Sequence, residues 1–212
     1  MENFITINQN IECEITVKKS KFICNLIKVE SQNEAEEQIK IIRKKYHDAR
    51  HNCIAYRIKE NEIIVEKASD DGEPSGTAGG PMLNILQKNN LCNVLVIVTR
   101  YFGGILLGTG GLVRAYSDAT FLAINSVNKT EMCTGLEYET KLDYNNFETF
   151  KYFCRKNEIN IVNTHYTDII ICKIQLEESK KAILLQAFEN KNVNLIDLRF
   201  LSKKIINKCI IK

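Results

Sequence analysis

The sequence predicts a mixed α/β (α+β) protein of two domains, and three observations carry that prediction. The chain has 212 residues, too many for a minimal core and suited to two small domains. Short β-patterned runs alternate with helical stripes along most of it. Nine of its ten glycines fall between Gly72 and Gly111, so the composition changes near Thr130 to Gly135. With 44% hydrophobic and 26% charged residues, a largely disordered chain is excluded.

The elements follow in order. Ile11, Cys13, Ile15 and Val17 alternate with polar residues and read as a half-buried strand. Lys18 to Ser20 turn the chain, and Phe22 to Val29 return as a second strand. Ser31 with Glu34 has the spacing of a capping box, and Ala35, Ile39 and Ile42 form the apolar stripe of the helix it opens. Cys53–Ile58 and Ile63–Lys67 read as a hairpin across Lys59–Asn61. Pro81 opens a short helix through Gln87. Asn93–Thr99 is β-branched and reads as a buried strand. Leu112, Tyr116, Ala119 and Ala123 place one stripe on a helix that starts just after Gly111.

Beyond the break, Leu136–Leu142, Asn160–Tyr166, Ile169–Leu176 and Val193–Leu201 read as strands. Asn146–Lys156 reads as a helix carrying Phe147, Phe150 and Phe153. Ser179–Asn190 reads as a helix with Ile183, Ala187 and Phe188 inward. The order βαββαβ is that of the ferredoxin-like split βαβ arrangement. The predicted domains are therefore 1–134 and 135–212.

No stretch approaches the roughly 18 apolar residues of a membrane helix. The opening MENFITINQN has no basic segment followed by an apolar one, so no secretory signal is expected and a cytoplasmic location is. The eight cysteines are at least eleven residues apart, without zinc-ribbon spacing, and read as buried apolar side chains in a reducing compartment. Net charge is +3, and residues 1–134 balance 16 basic against 16 acidic side chains. A polyanion site there has to be a local patch. Only seven of the 29 basic residues are arginine, so the position of each arginine is informative.

Two glycine-rich loops flank the Asn93–Thr99 strand, and long loops in a compact domain are commonly functional. The first, SDDGEPSGTAGGP, puts Asp70, Asp71 and Glu73 within four residues. They read either as oxygen ligands for a hard cation or as a turn at Asp71–Gly72 with capping acids. The second, RYFGGILLGTGG, offers the amides of Gly108, Gly110 and Gly111 at a helix start, with Arg114 one turn in, as an anion site; otherwise it is only a tight turn. Neither a Walker A motif nor a dinucleotide fingerprint is present. Arg100 and Tyr101, beside Phe102, suit phosphate forking and base stacking, or else Arg100 pairs with a nearby acid such as Asp70 or Asp71. If the strand is central, ligands are expected outside its carboxyl end, where Arg100 emerges. His47-Asp48-Ala49-Arg50-His51 resembles a zincin helix, but the expected helix end near Tyr46 breaks the geometry, leaving His51 as a polar site residue facing the loops. No Gly-x-Ser-x-Gly elbow or nucleophile triad is evident.

These strings resemble the signature of the IMPACT family in its bacterial, YigZ-type form. The residues that carry the resemblance are SDDGEPSGTAGGPML at Ser69–Leu83, VTRYFGGILLGTGGLVRAYS at Val98–Ser117, KKSKF at Lys18–Phe22 and HNCIAY at His51–Tyr56. The resemblance implies an amino-terminal domain of the fold shared by a small-subunit ribosomal protein and domain four of elongation factor G. It implies a carboxy-terminal domain similar to the ferredoxin-like domain five of that factor. Eukaryotic relatives regulate translation initiation through protein contacts made with a further domain, and that partnership does not carry over. The family supplies no catalytic residue, so none is assigned, and neither is a metal or cofactor. The expectation is a translation-associated regulator that binds RNA or the ribosome through its glycine-rich face. The alternatives are a metal-dependent enzyme acting on a phosphorylated or nucleotide substrate, and a purely protein-binding regulator.

Overall fold

A computed structural model describes residues 3–60 and 63–208. The chain divides into two compact units, one of Phe4–Thr130 and one from Glu131 onward together with Asn3. The first contains β1 (Phe4–Ile7), β2 (Ile11–Val17), β3 (Ser20–Lys28), α1 (Gln32–Lys45), β4 (His51–Glu60), β5 (Ile63–Ser69), α2 (Gly79–Lys88), β6 (Val94–Tyr101) and α3 (Thr109–Asn125). Five of these strands make a sheet in the order β2-β3-β6-β4-β5, antiparallel at every pair. β6 is central. The carboxyl-end rule invoked for it belongs to parallel sheets and does not apply here. Instead β3 and β4 enter the sheet where β6 leaves it, since Phe22 and His51 both stand opposite Arg100.

Strand alternation distributes β6 between two cores. Val94, Val96 and Val98 face α2 and α3, packing with Met82, Leu86, Leu112 and Tyr116. Leu95 and Ile97 face α1, where Ala35, Ile39 and Ile42 cover them. Both faces of β6 are thus dry, which explains its unbroken apolar run. The α1 cap forms as its spacing predicts: Ser31 Oγ accepts from the Glu34 amide at 3.2 Å. The Glu34 carboxylate reaches back one residue further than a capping box requires, accepting from the Glu30 amide at 2.7 Å. β1 lies outside this sheet. It is pinned by Ile5, which donates to Asn90 O at 2.9 Å and accepts from the Cys92 amide at 2.8 Å. The hairpin turn expected at Lys59–Asn61 falls partly outside the described residues.

The second unit is built from β7 (Lys129–Leu142), α4 (Phe147–Lys156), β8 (Asn160–Tyr166), β9 (Ile170–Glu177), α5 (Lys181–Glu189) and β10 (Asp197–Asn207). Its strands follow the order β10-β7-β9-β8, again antiparallel throughout. Two expectations change. Ile183 is 44% exposed and Leu184 takes the inward position instead, beside Ala187, which is buried as expected, while Phe188 is half-buried. β10 starts at Asp197 rather than Val193, since Val193 instead packs into the core and donates to Ala187 O at 3.2 Å behind α5. The described cysteines are all free, buried except for half-buried Cys13; Cys209 lies outside the described residues. Among the described residues, no helix is long and apolar enough to cross a membrane.

Candidate functional site

The acidic loop links β5 to α2. Asp71 and Gly72 have positive φ of 44° and 86°, and the Glu73 amide donates to Asp70 O at 3.0 Å, closing the turn that Asp-Gly favours. The three carboxylates then diverge. Asp70 accepts from the amides of Gly76 at 2.7 Å, Ala78 at 2.9 Å and Gly79 at 2.8 Å, so it caps α2 from across the loop. This cap starts α2 at Gly79, two residues before Pro81. Burial opposes ionisation of Asp70, but those amides outweigh it and hold the carboxyl below its usual range. Gly79 is obligatory, since a Cβ there would meet Ser69 N at 2.5 Å. Asp71 takes Arg43 Nη2 at 2.7 Å and the Asn52 amide at 2.7 Å. Among the described residues no group of three or more His, Cys, Asp or Glu side chains converges as a metal site.

Glu73 turns inward. Its carboxylate oxygen accepts from Arg100 Nη1 at 2.7 Å and from the Tyr116 hydroxyl at 2.8 Å. The ion pair is almost sealed, with side-chain exposures of 7% for Arg100 and 3% for Glu73. Arg100 therefore pairs with an acid of this loop, though with neither Asp70 nor Asp71. Its guanidinium carbon also sits 5.5 Å from the centre of the Phe22 ring and 5.6 Å from that of Phe102. Its Nε is buried without a partner among the described residues. Sequence reasoning placed Tyr116 only in an apolar stripe. The available signal was its hydroxyl, which a buried tyrosine must satisfy. Burial, then the nearby Cys53 and Glu73, pushes that phenol far up. Burial likewise pushes the Cys53 thiol to about 12, so it remains an unreactive donor to Asp70 O at 2.9 Å.

Register places Phe22, Arg100 and His51 side by side across β3, β6 and β4, on the α2/α3 face. His51 Nδ1 donates to Asp71 O at 3.0 Å. Beyond this row opens a cleft of about 460 Å³ lined by Asp48, Arg50, His51, Arg100, Tyr101, Phe102 and Leu106. The Tyr101 hydroxyl donates to Asp48 at 2.6 Å, which lifts the phenol to about 12 and lowers the Asp48 carboxyl. The structure thus gathers His51, Arg100 and Tyr101, and adds Asp48, Arg50 and Leu106. Gly103 anchors the loop that follows, since a Cβ there would meet Lys19 C at 2.0 Å.

The remaining candidates stand apart. Gly108 N-caps α3 with φ of 71°, and Gly110 and Gly111 form its first turn. Arg114 donates from Nε to Gly110 O at 3.3 Å and lines a second cleft of about 290 Å³ with Lys18, Leu107, Gly111 and Asp118. Asp70, Asp71 and Glu73 are not partners of Arg114.

A mixed α+β chain of two units, with a buried Arg–Glu–Tyr tie under a glycine-rich rim, is the class that fold and site define. Residues 18–124 match the Impact N-terminal domain, and residues 140–191 match a domain of unknown function, DUF1949. The chain is 39% identical over 180 residues to "IMPACT family member YvyE" of Bacillus subtilis, covering 85% of this chain and 82% of that protein. It is 32% identical over 167 residues to "IMPACT family member YigZ" of Escherichia coli, covering 78% and 82%. A crystal structure described as that of a hypothetical protein superposes with a TM-score of 0.62 at 28% identity, covering 95% of this chain and 98% of that one. The protein belongs to the IMPACT family, in its bacterial YvyE/YigZ-like form.

Proposed function

We propose that this protein is a translation-associated regulator that binds RNA, on the ribosome or free, through the rim of its amino-terminal unit. The observation that carries the reading is the cleft at the end of β6. It sets Arg50, His51 and Arg100 beside Tyr101 and Phe102 in a unit whose overall charge is balanced. Cations next to aromatic faces are what a nucleic-acid chain requires of a local patch. We read residues 1–134 as the elongation factor G domain-four-like fold. We read residues 135–212 as the ferredoxin-like, domain-five-like fold, which the strand order β10-β7-β9-β8 supports. The metal-dependent enzyme loses ground because Asp70, Asp71 and Glu73 are each claimed by donors in different directions. One observation favours a protein partner: Phe102, Ile105 and Leu106 are 56%, 42% and 83% exposed. Co-sedimentation of the full chain with ribosomes, alongside filter binding to ribosomal RNA across a salt series, tests the proposal. Retention that weakens with salt supports it. Absence from both, with capture by a ribosome-associated protein instead, supports the partner reading.

A further inference from the structure

We infer that the cleft at the end of β6 takes one unpaired nucleotide of a single-stranded RNA, its phosphate held by arginine and its base by Phe102. This rests on the proposed RNA binding and assigns its mode. The first ground is unfilled donors. Arg50 is exposed and has no partner among the described residues. Arg100 lines the cleft at 7% exposure, and Glu73 takes only its Nη1; its unpartnered Nε is itself buried. A guanidinium offers five donors in a fixed fork, so this site is short of acceptors, and phosphate oxygens supply them.

The second ground is shape. About 460 Å³ lies within the roughly 300–1,000 Å³ of pockets that enclose small ligands, and one nucleotide is such a ligand. A duplex would put its phosphates against the rim and leave the aromatic wall nothing to stack on, because its bases are already paired and stacked. Phe102 is 56% exposed, and its ring is held beside the Arg100 guanidinium carbon at 5.6 Å, an oriented platform for a base.

The third ground is charge. Residues 1–134 are balanced at 16 basic and 16 acidic side chains, and the cleft sets Arg50 and Arg100 against the Asp48 carboxylate, which the Tyr101 hydroxyl holds. A surface of this kind neutralises one or two phosphates, not a long row. Each phosphate neutralised on a single strand contributes about −0.7 to the log–log salt slope, so the expected slope is about −0.7 to −1.4.

Fluorescence anisotropy on the full chain tests this with a labelled, unstructured RNA octamer, the same sequence as a duplex, and AMP as competitor. The octamer should bind at least tenfold tighter than the duplex, with the shallow slope above. Phe102→Ala should weaken octamer binding about tenfold, the scale of one lost stack, and Arg50→Ala severalfold. Both side chains are exposed, so unchanged melting temperatures will show that both variants fold. Equal or tighter duplex binding, or octamer binding that ignores Phe102→Ala, overturns the cleft assignment while RNA binding stands. AMP competing at the octamer's own dissociation constant overturns it in favour of a free nucleotide. Binding of neither RNA form overturns the cleft assignment, and ribosome co-sedimentation then decides separately whether the proposed function falls with it.

Discussion

Residues 69–78 and residues 102–108 draw on a similar alphabet of glycine beside charged or bulky residues, and they spend it in opposite directions. In the first loop every carboxylate finds a donor within the fold: Asp70 three amides, Asp71 Arg43 and an amide, Glu73 the buried Arg100 and Tyr116. In the second loop Phe102, Ile105 and Leu106 stand outward, with Arg50 open beside them in the cleft or on its rim. The first loop holds the unit together, and the second is a surface with unmet contacts. Loop composition alone does not separate the two roles. What separates them is whether groups distant in sequence claim the loop's side chains, and only the tertiary structure supplies those.

The sharpest way to break this contrast is Glu73→Ala. It leaves the Arg100 guanidinium buried without its counter-charge and the Tyr116 hydroxyl without its acceptor, so urea unfolding should show a loss of about 3–5 kcal/mol. Adding Arg100→Met to that variant should recover part of the loss. If Glu73→Ala costs no more than a surface substitution, the inward role of the loop is wrong.

Asp70→Ala should come next, at about 2–3 kcal/mol, for the charge-assisted bonds that cap α2. Its pH signature is distinct. The folded-state carboxyl titrates below its ordinary value of 3.8, so its contribution is fully present above that value and is lost as pH falls through the folded pKa. The parent protein should therefore lose stability more steeply than Asp70→Ala below about pH 4, and parallel acid curves would refute the cap. Gly103→Ala should cost about 1–3 kcal/mol, because its Cβ runs into the Lys19 backbone. The smallest stability change belongs to Leu106→Ala, within about 0.5 kcal/mol, since that side chain is 83% exposed. A large loss there would mean that the second loop is also structural.

Much of this was legible in the residues themselves. The capping pair Ser31–Glu34, the stripe Ala35–Ile39–Ile42 and the buried run of β6 follow from local periodicity. So did the concentration of His51, Arg100 and Tyr101 at one end of the sheet, since glycine-rich segments flank β6. What was not legible depends on pairing. That β6 runs antiparallel to both neighbours is decided by strand partners far along the chain. The choice of Glu73 over Asp70 or Asp71 as the partner of Arg100 depends on the turn at Asp71–Gly72, around which Asp70 is claimed by the amides of α2 and Asp71 by Arg43 and the Asn52 amide. Arg114 lies in the same glycine-rich stretch as Arg100, but α3 carries it to a different cleft.

The measurement that most directly tests the division between the loops is a crosslink map of a 4-thiouridine-containing RNA octamer on the full chain, read after trypsin. Cleavage after Arg100 and Arg114 releases residues 101–114 as one peptide, and cleavage after Lys67 and Lys88 releases residues 68–88 as another. Uridine adducts should fall on the first peptide, at Tyr101 or Phe102, and spare the second. Adducts on residues 68–88, or only beyond residue 130, would contradict the account.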